Sequence, residues 1–119
     1  VSRRFPARVF REGTEPDARF TLANERTFLA WIRTALALVA AAVALEALAL
    51  PLQPGLRLAT ALVLVVLGLC LPMIAWSEWA RTERALRRGE PLPSSAVELV
   101  LAVGVTTAGA LVLLALLLR

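Results

Sequence analysis

The chain has 119 residues and a mass of 12.8 kDa, with 59% apolar and 18% charged residues, a mean hydropathy of +0.74 and a net charge of +4. Soluble domains sit near half apolar and about a quarter charged, so this composition excludes a disordered chain and argues against an ordinary soluble globule. There is no His or Tyr, and Cys70 is the single cysteine. An intrachain disulfide, a His-based triad and a four-ligand zinc site are thereby excluded, and no metal, cofactor or nucleic-acid partner is expected.

In chain order, residues 1–20 read as a cytoplasmic N-terminal segment and residues 21–119 as a single membrane domain, with helices at 21–50, 56–88 and 96–118. The first apolar stretch, Phe28 to Leu50, carries Arg33 and Glu46. Its Arg-rich approach, the uncharged run Thr34–Leu45 and Ala47-Leu48-Ala49 also resemble a secretory signal with its cleavage site. The long preceding segment and Glu46 weigh against that. Leu58–Ser77 and Leu99–Leu118 are each twenty residues without a charge. At about 1.5 Å per residue each spans roughly 30 Å, the thickness of the hydrocarbon layer.

Pro51-Leu52-Gln53-Pro54-Gly55 forces a tight return, making the first two helices an antiparallel hairpin. The second connection begins as an extension of helix two, with Glu83 and Arg87 spaced for a helical ion pair. Gly89 suits the helix end, and Pro91 and Pro93 prevent continuation. Ser95-Ala96-Val97-Glu98 reads as a capping box starting helix three at Ala96. Seven of the 13 arginines lie within residues 1–33 and four in the second connection, against Arg57 alone in the first connection and Arg119 at the end. The positive-inside rule then puts the N-terminus and second connection in the cytoplasm and the C-terminus outside. Trp31, Trp76 and Trp79 fall at the cytoplasmic ends, as interfacial aromatics do.

At the start of helix one, Thr21 or Asn24 is placed to cap, and Glu25 to meet the positive end of the macrodipole. Arg26 and Arg33, seven residues apart, share a face that continues through Ala37, Ala40, Ala44 and Ala47. Leu29, Leu36, Leu38, Val39 and Val43 take the other side. Arg33 either snorkels to the headgroups or faces the bundle interior or a pore, where it would meet anions. Glu46 is an interfacial carboxylate or a protonatable site. Pro72 implies a kink, and Gly104 with Ala108 a small-residue packing notch. Cys70 reads as a small inert hydrophobe at mid-membrane. Arg81, Arg84 and Arg88 share a cytoplasmic basic face, which sets topology and contacts acidic lipid or forms an anion vestibule.

The run Leu22-Ala-Asn-Glu-Arg-Thr-Phe-Leu-Ala-Trp-Ile-Arg-Thr34 closely resembles the signature of the YidH-like family of small bacterial inner-membrane proteins, a domain of unknown function. Glu15-Pro-Asp17, Arg19-Phe20, Glu83-Arg84-Ala85-Leu86-Arg87 and Pro91-Leu92-Pro93 extend the likeness over nearly the whole chain. The Asn24-Glu25-Arg26-Thr27-Phe28 core also resembles the membrane domain of the fungal vacuolar transporter chaperone complex, which makes and translocates polyphosphate. That resemblance implies an oligomer whose first helices line a basic channel. Glu25 and Arg26 match it residue by residue, whereas Arg33 matches the bacterial branch only. These 119 residues hold no polyphosphate-making or phosphate-sensing domain, so polymerase activity does not carry over.

The expectation is an all-α bundle of three transmembrane helices in the bacterial inner membrane, contacting the lipid bilayer and forming a homo-oligomer. Its function is expected to be an oligomeric pore or transport component for anions such as phosphate or polyphosphate. The alternative is a non-transporting scaffold or regulatory subunit docking a cytoplasmic partner or acidic lipids through its arginine face. No nucleophile–base pair is readable, so an enzyme is not expected. A reporter fused after Arg119 should be active outside the cytoplasm and one inserted after Arg88 inside. Opposite labelling, or cleavage between Ala49 and Leu50, contradicts the three-helix topology.

Overall fold

The computed structural model describes residues 4–119, and among them all regular structure is helical: α1 (Ala7–Phe10), α2 (Ala18–Ala47), α3 (Pro54–Arg88) and α4 (Val97–Leu117). Of these, α2, α3 and α4 are long and apolar enough to cross a membrane. α3 is the central element. α2 and α4 pack along it without their backbones approaching each other, and α1 sits against its charged end.

Lipid tails are as apolar as Leu, so membrane helices associate through close packing and polar contacts rather than through the hydrophobic effect. The contact between α2 and α3 follows that rule. The packed stripe of α2 runs Asn24, Trp31, Ala35, Leu38, Ala42, Leu45, alternating three- and four-residue steps after the first. Ala42 clusters with Ala61, Leu64 and Ala108, and Ala35 with Leu71 and Val97, so each cluster joins all three long helices. Gly68 is where the backbones come closest. A Cβ there would collide with Val39 and lie 3.1 Å from the Ala35 carbonyl oxygen. The Leu-rich side of α2 is therefore divided: Leu38 and Val39 pack inward, while Leu29, Leu36 and Val43 stay exposed to lipid. In α4 the small-residue notch is used, with Leu67 against Gly104 and Ala108 buried.

The turn between α2 and α3 is fixed at its second half. Gln53 Oε1 accepts the Leu56 N–H at 2.7 Å and Pro54 opens the helix, while the Gln53 N–H donates to Ala115 O at 3.1 Å and ties α4 to the turn. Across this hairpin Arg57 stands 3.7 Å from Glu46, giving that carboxylate a partner. α3 runs through Pro72 as one helix and ends in the left-handed residue Gly89. Cys70 is exposed on its lipid side.

Three local expectations are corrected. α2 starts at Ala18, capped by Asp17, whose Oδ1 accepts the Arg19 N–H at 2.9 Å. Neither Thr21 nor Asn24 is a cap, and Glu25 lies two turns inside the helix, away from the macrodipole's positive end. The Asp17 carboxyl is held below its ordinary 3.8 by the Arg19 side chain and then by that backbone N–H. α4 starts at Val97, with Ser95 Oγ accepting the Val97 N–H at 3.3 Å and no side-chain capping bond at Ala96. The capping box is thus not closed by Glu98. Finally, Glu83 and Arg87 do not pair, because both are drawn into contacts with segments far away in sequence.

Arg87 shows why. Residues 4–17 fold back over the charged end of α3, with Val9 and Phe10 buried and the Phe10 ring 6.0 Å from Trp79. Arg87, itself buried, donates from Nε to Glu12 O at 2.8 Å and from Nη2 to Phe10 O at 2.7 Å, and the Thr14 N–H returns to Arg87 O at 2.9 Å. Gly13 has φ of 56°, and a Cβ there would strike Arg87 O. Glu12 takes Arg88 at 2.6 Å and Arg84 at 3.6 Å, and Glu15 takes Arg4 at 2.6 Å and Arg87 at 3.4 Å. The Arg4 hydrogen bond holds the Glu15 carboxyl below its ordinary 4.5.

Gly13→Ala should therefore release this head and speed tryptic cleavage after Arg8 and Arg11 by about tenfold or more, since both the left-handed backbone and the contact with Arg87 oppose a Cβ. Because the Glu15 value is depressed on folding, its contribution is complete above 4.5 and lost as pH falls through the lowered value. The Thr14 amide, followed by NMR in micelles, should stay protected at pH 6 and lose protection progressively as pH falls below 4.5. An unchanged cleavage rate and a flat pH profile would contradict the docked head.

Candidate functional site

The arginine-rich end of the bundle holds two distinct surfaces. On the first, α2 turns Glu25, Arg26 and Arg33 to the outside; all three are exposed. The long helices carry eight arginines. Six have a carboxylate within ion-pair distance: Arg19 with Asp17, Arg57 with Glu46, Arg81 with Glu78, Arg84 and Arg88 with Glu12, and Arg87 with Glu15. Arg26 and Arg33 make no ion pair or hydrogen bond among the described residues. They stand about 10 Å apart along the axis, two turns of one face. The alanines above them, Ala37, Ala40, Ala44 and Ala47, are exposed too. The sequence reading of a basic face continued by small residues is thus an open face of the protomer.

The cytoplasmic basic face expected at Arg81, Arg84 and Arg88 is occupied differently. Arg84 and Arg88 straddle Glu12 of the head, and Arg81 lies 3.2 Å from Glu78 on its own helix. The three also line one cavity of about 270 Å³ with Glu90, which stands 3.9 Å from Arg88.

The second surface is the seam between α2 and α3, and sequence reasoning missed most of it. Glu83 is completely buried. Its Oε1 accepts the Thr21 hydroxyl at 3.1 Å and its Oε2 faces the Asn24 amide nitrogen at 3.5 Å. That same Nδ2 donates to the Trp79 carbonyl at 3.0 Å. The charge of Glu83 also acts on Arg4, one of the lesser causes that raise the guanidinium pKa there after its bond to Glu15. A buried carboxylate is costly unless hydrogen-bonded, and here α2 supplies two donors and the head a cation. The available signal was the α2 stripe itself: Asn24 falls in step with Trp31, Ala35 and Ala42, and so belongs inside. Nothing local pairs residue 21 or 24 with residue 83.

Around this seam the aromatic side chains form a layer. Trp76 stacks near Trp79 at 5.2 Å, Phe28 at 6.0 Å and Phe5 at 6.2 Å. Such a belt marks the depth of a membrane–water interface. Arg33 lies about one and a half turns deeper than Phe28.

The family model described as "Domain of unknown function (DUF202)" matches residues 19–85, which contain the Asn24 node, the Arg26–Arg33 face and Glu83. The chain belongs to this family. The uncharacterized protein Rv2272 of Mycobacterium tuberculosis is 50% identical over 100 residues, covering 83% of this chain and 82% of that protein. The inner membrane protein YidH of Escherichia coli strain K12 is 41% identical over 87 residues, covering 72% of this chain and 76% of YidH. No solved structure matches the chain. With three apolar spans and an inner-membrane relative, this DUF202 protein is a multi-pass inner-membrane protein.

Proposed function

We propose that this DUF202 protein is the subunit of a homo-oligomeric membrane assembly in which the Arg26–Arg33 face of α2 lines a path for anions, phosphate-bearing ones included. The observation that carries this reading is the pairing pattern: six of the eight arginines on the three long helices have carboxylate partners, and Arg26 and Arg33 do not. An unpaired guanidinium set below an aromatic belt is costly to keep in contact with lipid, and association around an axis would gather such groups into rings of positive charge. The exposed alanines of the same face allow a second helix to approach closely.

A protomer built as a row around α3 encloses no pathway alone, so the path requires several copies. The scaffold alternative rests on Arg81, Arg84 and Arg88. It receives less support, because those arginines are matched to Glu78 and Glu12 within the chain.

In proteoliposomes, Arg33→Glu and Arg26→Glu should each lower anion flux by about tenfold or more, equivalent to ~1.4 kcal/mol of lost electrostatic stabilisation. Arg33→Lys should be milder, since it keeps the charge but loses the bidentate fork. Arg84→Glu, matched for expression and oligomer size, should change flux little. The reverse ranking, or unchanged flux in both Glu variants, would overturn the anion path, and a strictly monomeric protein in mild detergent would do the same.

A further inference from the structure

The packed side of α2 holds a feature of opposite sign to its open side. Between α2, α3 and the start of α4 lies a cavity of about 100 Å³ whose lining contains Glu78 and Glu98 and no basic residue. Trp31 and Trp79 contribute aromatic walls, and Asn24 and Thr82 add polar groups. Asn24 is nine-tenths buried. Its Nδ2 is committed to the Trp79 carbonyl and Glu83, and its Oδ1 accepts no hydrogen bond among the described residues.

The residue types have separate explanations only in part. Glu98 stands in the first turn of α4, where a negative charge meets the positive end of the helix dipole. Glu78 sits deep within α3, remote from any helix start, and its side chain is mostly buried although Arg81 approaches from outside at 3.2 Å. Glu98 has no ion-pair partner among the described residues. Two carboxylates, a free amide oxygen and two indoles border one small space together with the Thr27, Thr82 and Ser95 hydroxyls, and Glu98 stands exposed at its rim. That chemistry suits a compact cation carrying N–H donors, because carboxylate and amide oxygens accept its hydrogen bonds and aromatic faces attract its charge. The volume admits a group of a few heavy atoms.

We propose that this cavity is a binding site for a small ammonium-type cation, held by Glu78, Glu98 and Asn24 beside Trp31 and Trp79. It is independent of the arginine path, which lies on the other side of α2. The ammonium group has two available sources at this depth: a soluble primary amine, or the headgroup of an aminophospholipid in the surrounding leaflet.

Trp31 and Trp79 report on the site directly. The full chain carrying Trp76→Phe, so that all emission comes from the two cavity tryptophans, is reconstituted in phosphatidylglycerol nanodiscs and titrated with methylammonium chloride against matched sodium chloride. A saturable emission change is expected, weakened about tenfold or more in apparent affinity by Glu98→Gln, and absent with tetrapropylammonium, which exceeds the cavity. Repeating the titration in phosphatidylethanolamine nanodiscs separates the sources. A response suppressed there assigns the headgroup, and an unchanged response assigns a soluble amine. No saturable response in phosphatidylglycerol, or an equal response to tetrapropylammonium, overturns the site. The second comparison uses no further substitution and so holds even if Glu98→Gln fails to fold.

Discussion

The structure depends on a carboxylate removed from water. Glu83 lies wholly inside the protein, at the edge of a bundle whose apolar surfaces supply no strong reason to associate in lipid. Its hydrogen bonds from Thr21 and Asn24 join helices whose contacting residues stand about sixty positions apart, and they fix which face of α2 meets α3. Deeper in the membrane that rotation brings Ala35 and Val39 onto Gly68, where the absence of a Cβ allows the closest approach. The polar node sets the angle and the small residues set the distance.

That same rotation determines which charges are left over. With Asn24 inward, Arg26 and Arg33 are carried to the open side, out of reach of the acids that pair with the other six arginines of the long helices. The head completes the separation. Glu12 and Glu15 pair with Arg84, Arg87 and Arg88 at the basic end of α3, and Arg87 also donates to the backbone carbonyls of Phe10 and Glu12. The arginines at that end of α3 are paired within the chain, while Arg26 and Arg33 on one face of α2 have no ion pair among the described residues. The cavity bounded by Glu78 and Glu98 lies on the inner side of that same helix, away from Arg26 and Arg33.

Much of the architecture was legible in the sequence because it rests on local chemistry. Charge-free runs of hydrocarbon length gave α3 and α4, the Pro51–Pro54 pair gave the hairpin, and Gly89 gave the end of α3. The resemblance carried by residues 22–34 led to the family that the comparisons then showed. What was not legible depends on distant partners. Glu83 and Arg87 have the spacing of a helical ion pair, and only the docked head and the α2 seam explain why each is taken elsewhere. Asn24 resembles a cap in isolation because Asp17, an equally good cap, lies one helical segment earlier. The division of the Leu-rich side of α2 was hidden for a different reason: in lipid the packed stripe follows alanine and glycine, and leucine faces outward at little cost.

Glu83 and Asn24 act as a pair that sets the α2–α3 rotation. A double-mutant cycle of Asn24→Ala and Glu83→Gln, read from reversible unfolding in mixed micelles, tests it most directly. A coupling of about 0.5–2 kcal/mol between the two sites is expected, accompanied by increased labelling of a cysteine placed at Ala35 in either single variant. Effects that add within about 0.3 kcal/mol, with Ala35 equally protected throughout, would contradict it.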